Sequence, residues 1–235
     1  YYIALEAARI AREFSTPVII LSDQAMSRRL EEYEEPDFSQ VADPAIDQNP
    51  RGEDFRPYPL DAETKHAPPG TKMLAGKYPV VTGLEHDEWG HPSSNPELHQ
   101  KMTDRRRNKL KRLAESLPQP EVFGAAEGEV LLVGWGSTWG PIREAVEVSR
   151  AAGHGVSAIH RRHLPPMPEG IDEIMAGFSH VLVVEMNDQV MFGYRQLATL
   201  LRARFAKSNI QSLTKTDGLT FKIREIIAGI EAASA

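Results

Sequence analysis

Cysteine is absent from all 235 residues. That excludes disulfide crosslinks, a cysteine nucleophile, and any iron–sulfur cluster held by thiolates of this chain. If the chain works with such a cluster, a partner must carry it. Long apolar runs are lacking too. The longest aliphatic stretches, Val18–Leu21, Val130–Val133 and Val181–Val184, fall far short of the roughly 20 residues of a membrane helix. No secretory signal is visible, so the sequence reads as cytoplasmic and without membrane contact. Nor is there a surplus of positive charge. The 27 Lys and Arg are outnumbered by 33 Asp and Glu, leaving a net charge of −6. That argues against nucleic acid as a partner, since its binders are normally basic.

What is present suffices for a core, with 41% apolar residues. Ile3, Ala7, Ile10, Ala11 and Phe14 recur at helical spacing. Pro17 breaks that helix by lacking an amide donor, and Val18–Leu21 then predicts a buried strand. One helix and one strand cannot bury themselves, and the chain opens on Tyr1 rather than Met. The body of this first domain is therefore expected upstream. Residues 31–75 carry little periodicity. An acidic run ends at Pro36, and Pro44, Pro50, Pro57, Pro59, Pro68 and Pro69 punctuate the rest. Long irregular stretches are uncommon in compact domains unless they wrap a surface or serve a site, which predicts an extended arm. Ser94 and Glu97 form a capping-box pattern for a helix to Leu117, with Leu98, Met102, Leu110, Leu113 and Leu117 as its apolar stripe.

From Glu129 the pattern turns to compact α/β. Strands are predicted at 130–133, 156–160, 181–184 and 210–213. Helices are predicted from Pro141 to Gly153, over 171–176, from Gly193 to Phe205 and from Phe221 to Ile230. Such alternation with short loops implies a mainly parallel sheet with right-handed crossovers.

Four groups of residues invite chemistry. Gly134, Gly136 and Gly140 give G-x-G-x-x-x-G, which matches neither the dinucleotide fingerprint nor a P-loop. Ser137 is flanked by Trp135 and Trp139 where a nucleophile elbow needs glycines. The plain reading is a tight strand-to-helix turn. Gly136, Ser137 and Thr138 remain candidates for an anion at the helix N-terminus or for an interface. Glu85, His86, Asp87, Glu88 and His91, with His99, carry metal-ligand side chains but not the H-E-x-x-H order. No metal site is assigned, and a loop against substrate or a neighbouring subunit is the expectation. Lys101 to Arg112 form a strongly basic helix, which reads either as a solvated face or, with Arg105, Arg106 and Lys109 as candidates, as a docking face for an acidic protein or a phosphorylated cofactor. Glu185 to Gln189 close the third strand, where ligands of parallel sheets gather and where a hydrogen-bonded structural cluster fits equally well.

Five stretches, in order along the chain, resemble the alpha subunit of 2-oxoacid:ferredoxin oxidoreductases, most closely the 2-oxoglutarate type. They are Thr16-Pro17-Val18-Ile19-Ile20-Leu21-Ser22-Asp23-Gln24; Thr82-Gly83-Leu84-Glu85-His86-Asp87-Glu88-Trp89-Gly90-His91-Pro92; Gly134-Trp135-Gly136-Ser137-Thr138-Trp139-Gly140-Pro141; His163-Leu164-Pro165-Pro166-Met167-Pro168; and Gln211 to Gly218 with Phe221. Two positions depart from the family pattern: Asp188 stands in place of a glycine, and His163 in place of a tyrosine.

The resemblance implies a three-layer sandwich of transketolase C-terminal type over 121–235. Before it come the end of a pyrimidine-type thiamine-binding domain over 1–30 and an irregular arm with the basic helix over 31–120. It also implies oxidative decarboxylation of a 2-oxoacid to an acyl-coenzyme A with reduction of ferredoxin, using thiamine diphosphate, Mg2+ and a [4Fe–4S] cluster. The diphosphate motif and the cluster cysteines would belong to a beta subunit, and alpha–beta units would pair. The segment itself would be scaffold and interface, with no catalytic residue. A stand-alone α/β module binding an anion or nucleotide is the alternative, and pyruvate or branched-chain 2-oxoacids are alternative substrates.

Overall fold

The computed structural model describes residues 1–30, 32–37, 55–62, 80–188 and 195–234. Most of the expected arm and the expected helix start at Gly193 lie outside the described residues. The chain divides into two compact units, one of Tyr1–Ile20 and Glu32–Leu113, the other of Leu21–Glu31 and Ala114–Ala235.

In the first unit, helix α1 (Tyr2–Glu13) buries Ile10, and Phe14 beyond its end is buried as well. The strand predicted at Val18–Leu21 does not form. These residues are irregular and exposed, Ile19 to 83%. A strand needs a neighbour to take its amides and carbonyls, and no described strand pairs with this one. A short helix, α2 (Gln24–Arg28), follows in the second unit, its N-terminus capped by Asp23, whose Oδ1 accepts from Met26 N at 2.9 Å.

Helix α3 (Pro96–Ser116) is capped by Asn95 rather than Ser94. Asn95 Oδ1 accepts from Glu97 N at 2.9 Å and from Leu98 N at 3.1 Å, so the amide side chain holds the orphan donors of the first turn. Met102 and Leu113 are buried, but Leu110 is exposed. At 100° per residue Leu110 sits about 80° round the helix from Met102, off the stripe that Met102 and Leu113 share.

The second unit holds a five-stranded sheet in the order β1-β3-β2-β4-β5. Strands β2 (Gly128–Trp135), β3 (Val156–Arg161), β4 (Phe178–Glu185) and β5 (Ile210–Thr214) are parallel. The two-residue β1 (Val122–Phe123) pairs antiparallel with β3, Val122 opposite Ile159. Register aligns Trp135 with Arg161, and Glu185 with Thr214, along the carboxyl edge.

Because strand side chains alternate faces, Val130 and Leu132 join one core, with Ile142, Ala145 and Val146 of α4 (Trp139–Ala151) and Ile226, Ile230 and Ala233 of α7 (Ile223–Ser234). Leu131 and Val133 join the opposite core, with Ile171 and Met175 of α5 (Ile171–Ala176) and Leu197, Ala198 and Leu201 of α6 (Gln196–Phe205). Helices thus cover both faces, giving the expected three-layer α/β sandwich. The near-continuous apolar runs of β2 and β4 are those of strands buried on both sides. Helix α4 begins earlier than Pro141 implies, because a 3-10 turn over Gly136–Thr138 runs straight into it.

Candidate functional site

The chain runs from β2 to β3 on one side, then returns to β4 on the other side of β2. That reversal makes the carboxyl ends of β2 and β4 a topological switch point, the place where ligands of open parallel sheets collect. Two acids of the chain itself occupy the helix N-termini there.

The first is Asp23. Its Oδ2 accepts from the backbone amide of Ser137 at 3.1 Å, a contact across 114 residues. Gly136 takes φ +61, which a side chain resists, and a Cβ there would stand 3.2 Å from Asp23 Oδ2. Burial would raise the Asp23 carboxyl, but hydrogen bonds from Ser137, Met26 and Ala25 outweigh it and hold the group below its ordinary value. Thr138 is buried and internally bonded, its hydroxyl donating to Trp135 O at 2.8 Å and accepting from Trp135 N at 3.1 Å. An external anion at Gly136–Thr138 would therefore have to displace a carboxylate.

The second acid is Glu185, fully buried at the end of β4. Its carboxylate accepts from Leu197 N at 3.2 Å and Ala198 N at 3.1 Å, two amides of the first turn of α6, and from Asn187 Nδ2 at 3.2 Å. A negative charge is at its most favourable at such a helix end. The Glu185 cluster thus acts as a helix cap made by a distant strand. Arg195, also buried, lies in the field of Glu185 and Asp188; burial lowers its guanidinium, and the two acids partly restore it.

The loop from Glu85 to His91 is built against α3. Glu85 takes Arg106 at 2.8 and 3.2 Å and pairs with His99. Arg106 holds the Glu85 carboxyl down to about 2, against the opposing effect of burial and with help from His99. Asp87 Oδ1 accepts from Trp89 N and His91 N, each at 2.9 Å, and so closes the turn at Gly90. Glu88 takes Arg56 at 2.7 Å and Leu60 N at 2.7 Å. The His86 ring packs on Tyr58 with centroids 4.1 Å apart. Of the basic helix, Arg105 donates to Pro59 O at 2.7 Å and Lys109 to Ser15 O at 2.7 Å. Burial lowers the Lys109 ammonium, and Arg105, Arg106 and Arg112 lower it further. Each of the candidates Glu85, Asp87, Glu88, Arg105, Arg106 and Lys109 is thus engaged inside its own unit. Among the described residues no group of three or more His, Asp or Glu side chains is placed to hold a metal ion.

Sequence reasoning missed one concavity. A cavity of about 430 Å³ lies beside the carboxyl end of β3, between the Pro118–Phe123 segment and the His160–His163 segment, with Trp139 on its wall. Nothing in the sequence brings Pro118–Phe123 to His160–His163; the antiparallel pairing of β1 with β3 does so.

No family model matches the sequence. Curated proteins do. The 2-oxoglutarate oxidoreductase subunit KorA of Mycobacterium tuberculosis is 36% identical over 99% of this chain, which covers 34% of that protein. The chain is homologous to the alpha subunits of 2-oxoacid:ferredoxin oxidoreductases. Subunit alpha of 2-oxoacid:ferredoxin oxidoreductase 2 from Aeropyrum pernix is 31% identical over 98% of the chain and 36% of its own length. Among solved structures, the 2-oxoglutarate:ferredoxin oxidoreductase of Magnetococcus marinus, with 2-oxoglutarate, coenzyme A and succinyl-CoA bound, superposes with a TM-score of 0.68 at 29% identity. That match covers 79% of this chain and 32% of the other. The chain thus spans about a third of the length of these alpha-subunit relatives. No described helix is long and apolar enough to cross a membrane.

Proposed function

We propose that this chain forms the C-terminal part of the alpha subunit of a cytoplasmic 2-oxoglutarate:ferredoxin oxidoreductase. The enzyme would convert a 2-oxoacid and coenzyme A to an acyl-coenzyme A and carbon dioxide, with the electrons passing to ferredoxin. The observation that carries this is the 36% identity to a 2-oxoglutarate oxidoreductase subunit along 99% of the chain.

In the assembled enzyme the chemistry would rest on thiamine diphosphate, Mg2+ and a [4Fe–4S] cluster. The described residues do not fit these groups. The helix start at Gly136–Thr138 is faced by the Asp23 carboxylate, among the described residues no group of three or more acids or histidines is placed to ligate a metal, and the sequence offers no thiolate. The cofactors are accordingly proposed to sit on a partner beta subunit, with a second alpha–beta unit completing the enzyme. This segment would serve as scaffold and interface. The ion pairs of Glu85 and Glu88 and the backbone hydrogen bonds to Asp87 would hold the loop rigid, while exposed Leu84 and Trp89 beside them offer apolar surface to the partner. The Gly136–Thr138 turn, closed by Asp23, is proposed as scaffold within the second unit.

The test is purification of the native subunit with whatever chain accompanies it, followed by coenzyme A-dependent reduction of ferredoxin with 2-oxoglutarate, pyruvate and branched 2-oxoacids. The expected result is a second chain carrying thiamine diphosphate and cysteines, and turnover fastest with 2-oxoglutarate. A complex that reduces ferredoxin with none of these acids would overturn the assignment.

A further inference from the structure

The cavity beside β3 is walled by three rings that share one face of the sheet. Phe123 stands opposite Ala158 in the β1–β3 pairing, and alternation puts His160 on the same face as Ala158. Phe123 and Trp139 both pack against the core that holds Ala158. Trp139 joins the set together: its ring meets Phe123 edge-on at 5.8 Å and lies 5.3 Å from the ring of His160. All three line the cavity. Arg161, next along the strand, alternates to the opposite face and is buried.

His160 brings an acceptor to this wall. Its Nε2 lies 3.1 Å from Gly136 O, and a carbonyl only accepts, so Nε2 carries the proton and donates. Nδ1 then keeps its lone pair, and none of the described residues donates to it. Burial keeps the imidazole below its ordinary pKa against the Gly136 bond, and Arg162 adds to the effect. The ring is therefore neutral at pH 7, and the acceptor persists. Charges around the cavity disfavour an ion of either sign. Glu121 lines it and repels an anion. Arg162 lines it as well, and the Arg143 guanidinium lies 5.2 Å from the Phe123 ring; both repel a cation. The volume, about 430 Å³, is in the range of small organic ligands.

We propose that this cavity binds a neutral, flat aromatic molecule carrying an N–H or O–H donor, of which indole is a simple example. Trp139 and Phe123 wall its ring, and His160 Nδ1 accepts its hydrogen bond. Such a site would exist whether or not the chain takes part in 2-oxoacid oxidation.

The test is calorimetric titration of the subunit, purified in its native complex, with indole, 1-methylindole and indole-3-carboxylate. Indole should bind about tenfold more tightly than 1-methylindole, because the methyl group leaves the Nδ1 acceptor without a donor. Indole-3-carboxylate should bind more weakly than indole and recover in Glu121→Gln, a change at an exposed position. His160→Phe keeps a ring in the wall but removes the acceptor, and should make indole and 1-methylindole nearly equal. Should His160→Phe fail to fold, the native comparison and Glu121→Gln still decide. No binding of indole, equal binding of the two indoles by the native chain, a difference that survives His160→Phe, or a carboxylate indifferent to Glu121→Gln would each overturn the proposal.

Discussion

Asp23 and Glu185 show how much a single carboxylate can decide. Both sit at helix starts, where backbone amides lack intrahelical partners, and both fill a position that a ligand anion could take. Replacing Glu185 by Ala would leave the amides of Leu197 and Ala198 and the side chain of Asn187 without their acceptor in a dry site. The expected loss is about 2–3 kcal/mol, read as a lower urea midpoint. Glu185→Gln keeps an acceptor and should lose less. Asp23→Ala removes a cap from both α2 and the Ser137 turn and should cost about 1 kcal/mol in the same measurement. Because the folded Asp23 titrates below its ordinary value, its contribution is present above the unfolded pKa and fades as pH falls through the folded one. The Asp23→Ala variant should therefore differ most from the native chain near neutrality and converge on it in acid.

At the scale of elements, the Glu85–His91 loop and helix α3 behave as one braced piece. The folded Glu85 carboxyl, at about 2, lies below its ordinary 4.5. The stability it adds is complete above about 4.5 and drains away as pH drops towards about 2. Arg106 is half open to solvent, so screening keeps the pair's worth to about 1 kcal/mol. Glu85→Gln should lower the urea midpoint at pH 7 by that amount, and added salt should shrink the difference. The turn at Gly90 is less forgiving. With φ +87 and a would-be Cβ 2.1 Å from Val80 O, Gly90→Ala faces both a disfavoured backbone and a clash with main chain. A loss above about 2 kcal/mol is expected, together with faster proteolysis of the loop.

At the scale of the whole molecule, the larger of the two compact units draws its stability from two apolar cores on opposite faces of the sheet. Leu131 and Leu132 are neighbours in sequence yet fill different cores. Each Leu→Ala change should cost about 2–5 kcal/mol, and the double variant should sum nearly additively, measured by denaturant unfolding. The sandwich itself was legible in advance. The runs at 130–133 and 181–184, the glycine at 153 and the spacing of α4 and α7 all point to buried parallel strands with covering helices, because local periodicity and tertiary burial agree there. The edges were not. Val18–Leu21 has the composition of a buried strand, but composition cannot supply a neighbouring strand. Asn95 took the cap that Ser94 and Glu97 advertised, since two residues of capping type stood side by side. The bond from Ser137 to Asp23 and the approach of Pro118–Phe123 to His160–His163 depend on distant pairings that no window of sequence contains.

The two margins of the sheet are finished differently. On one side the ladder stops after two residues of β1, with Pro120 just upstream lacking an amide to offer. On the other, no described strand flanks the five residues of β5. In heavy water the outward amides of β5 should exchange well before those of β2. That same margin is where two molecules, concentrated and left to stand, would begin to zip together.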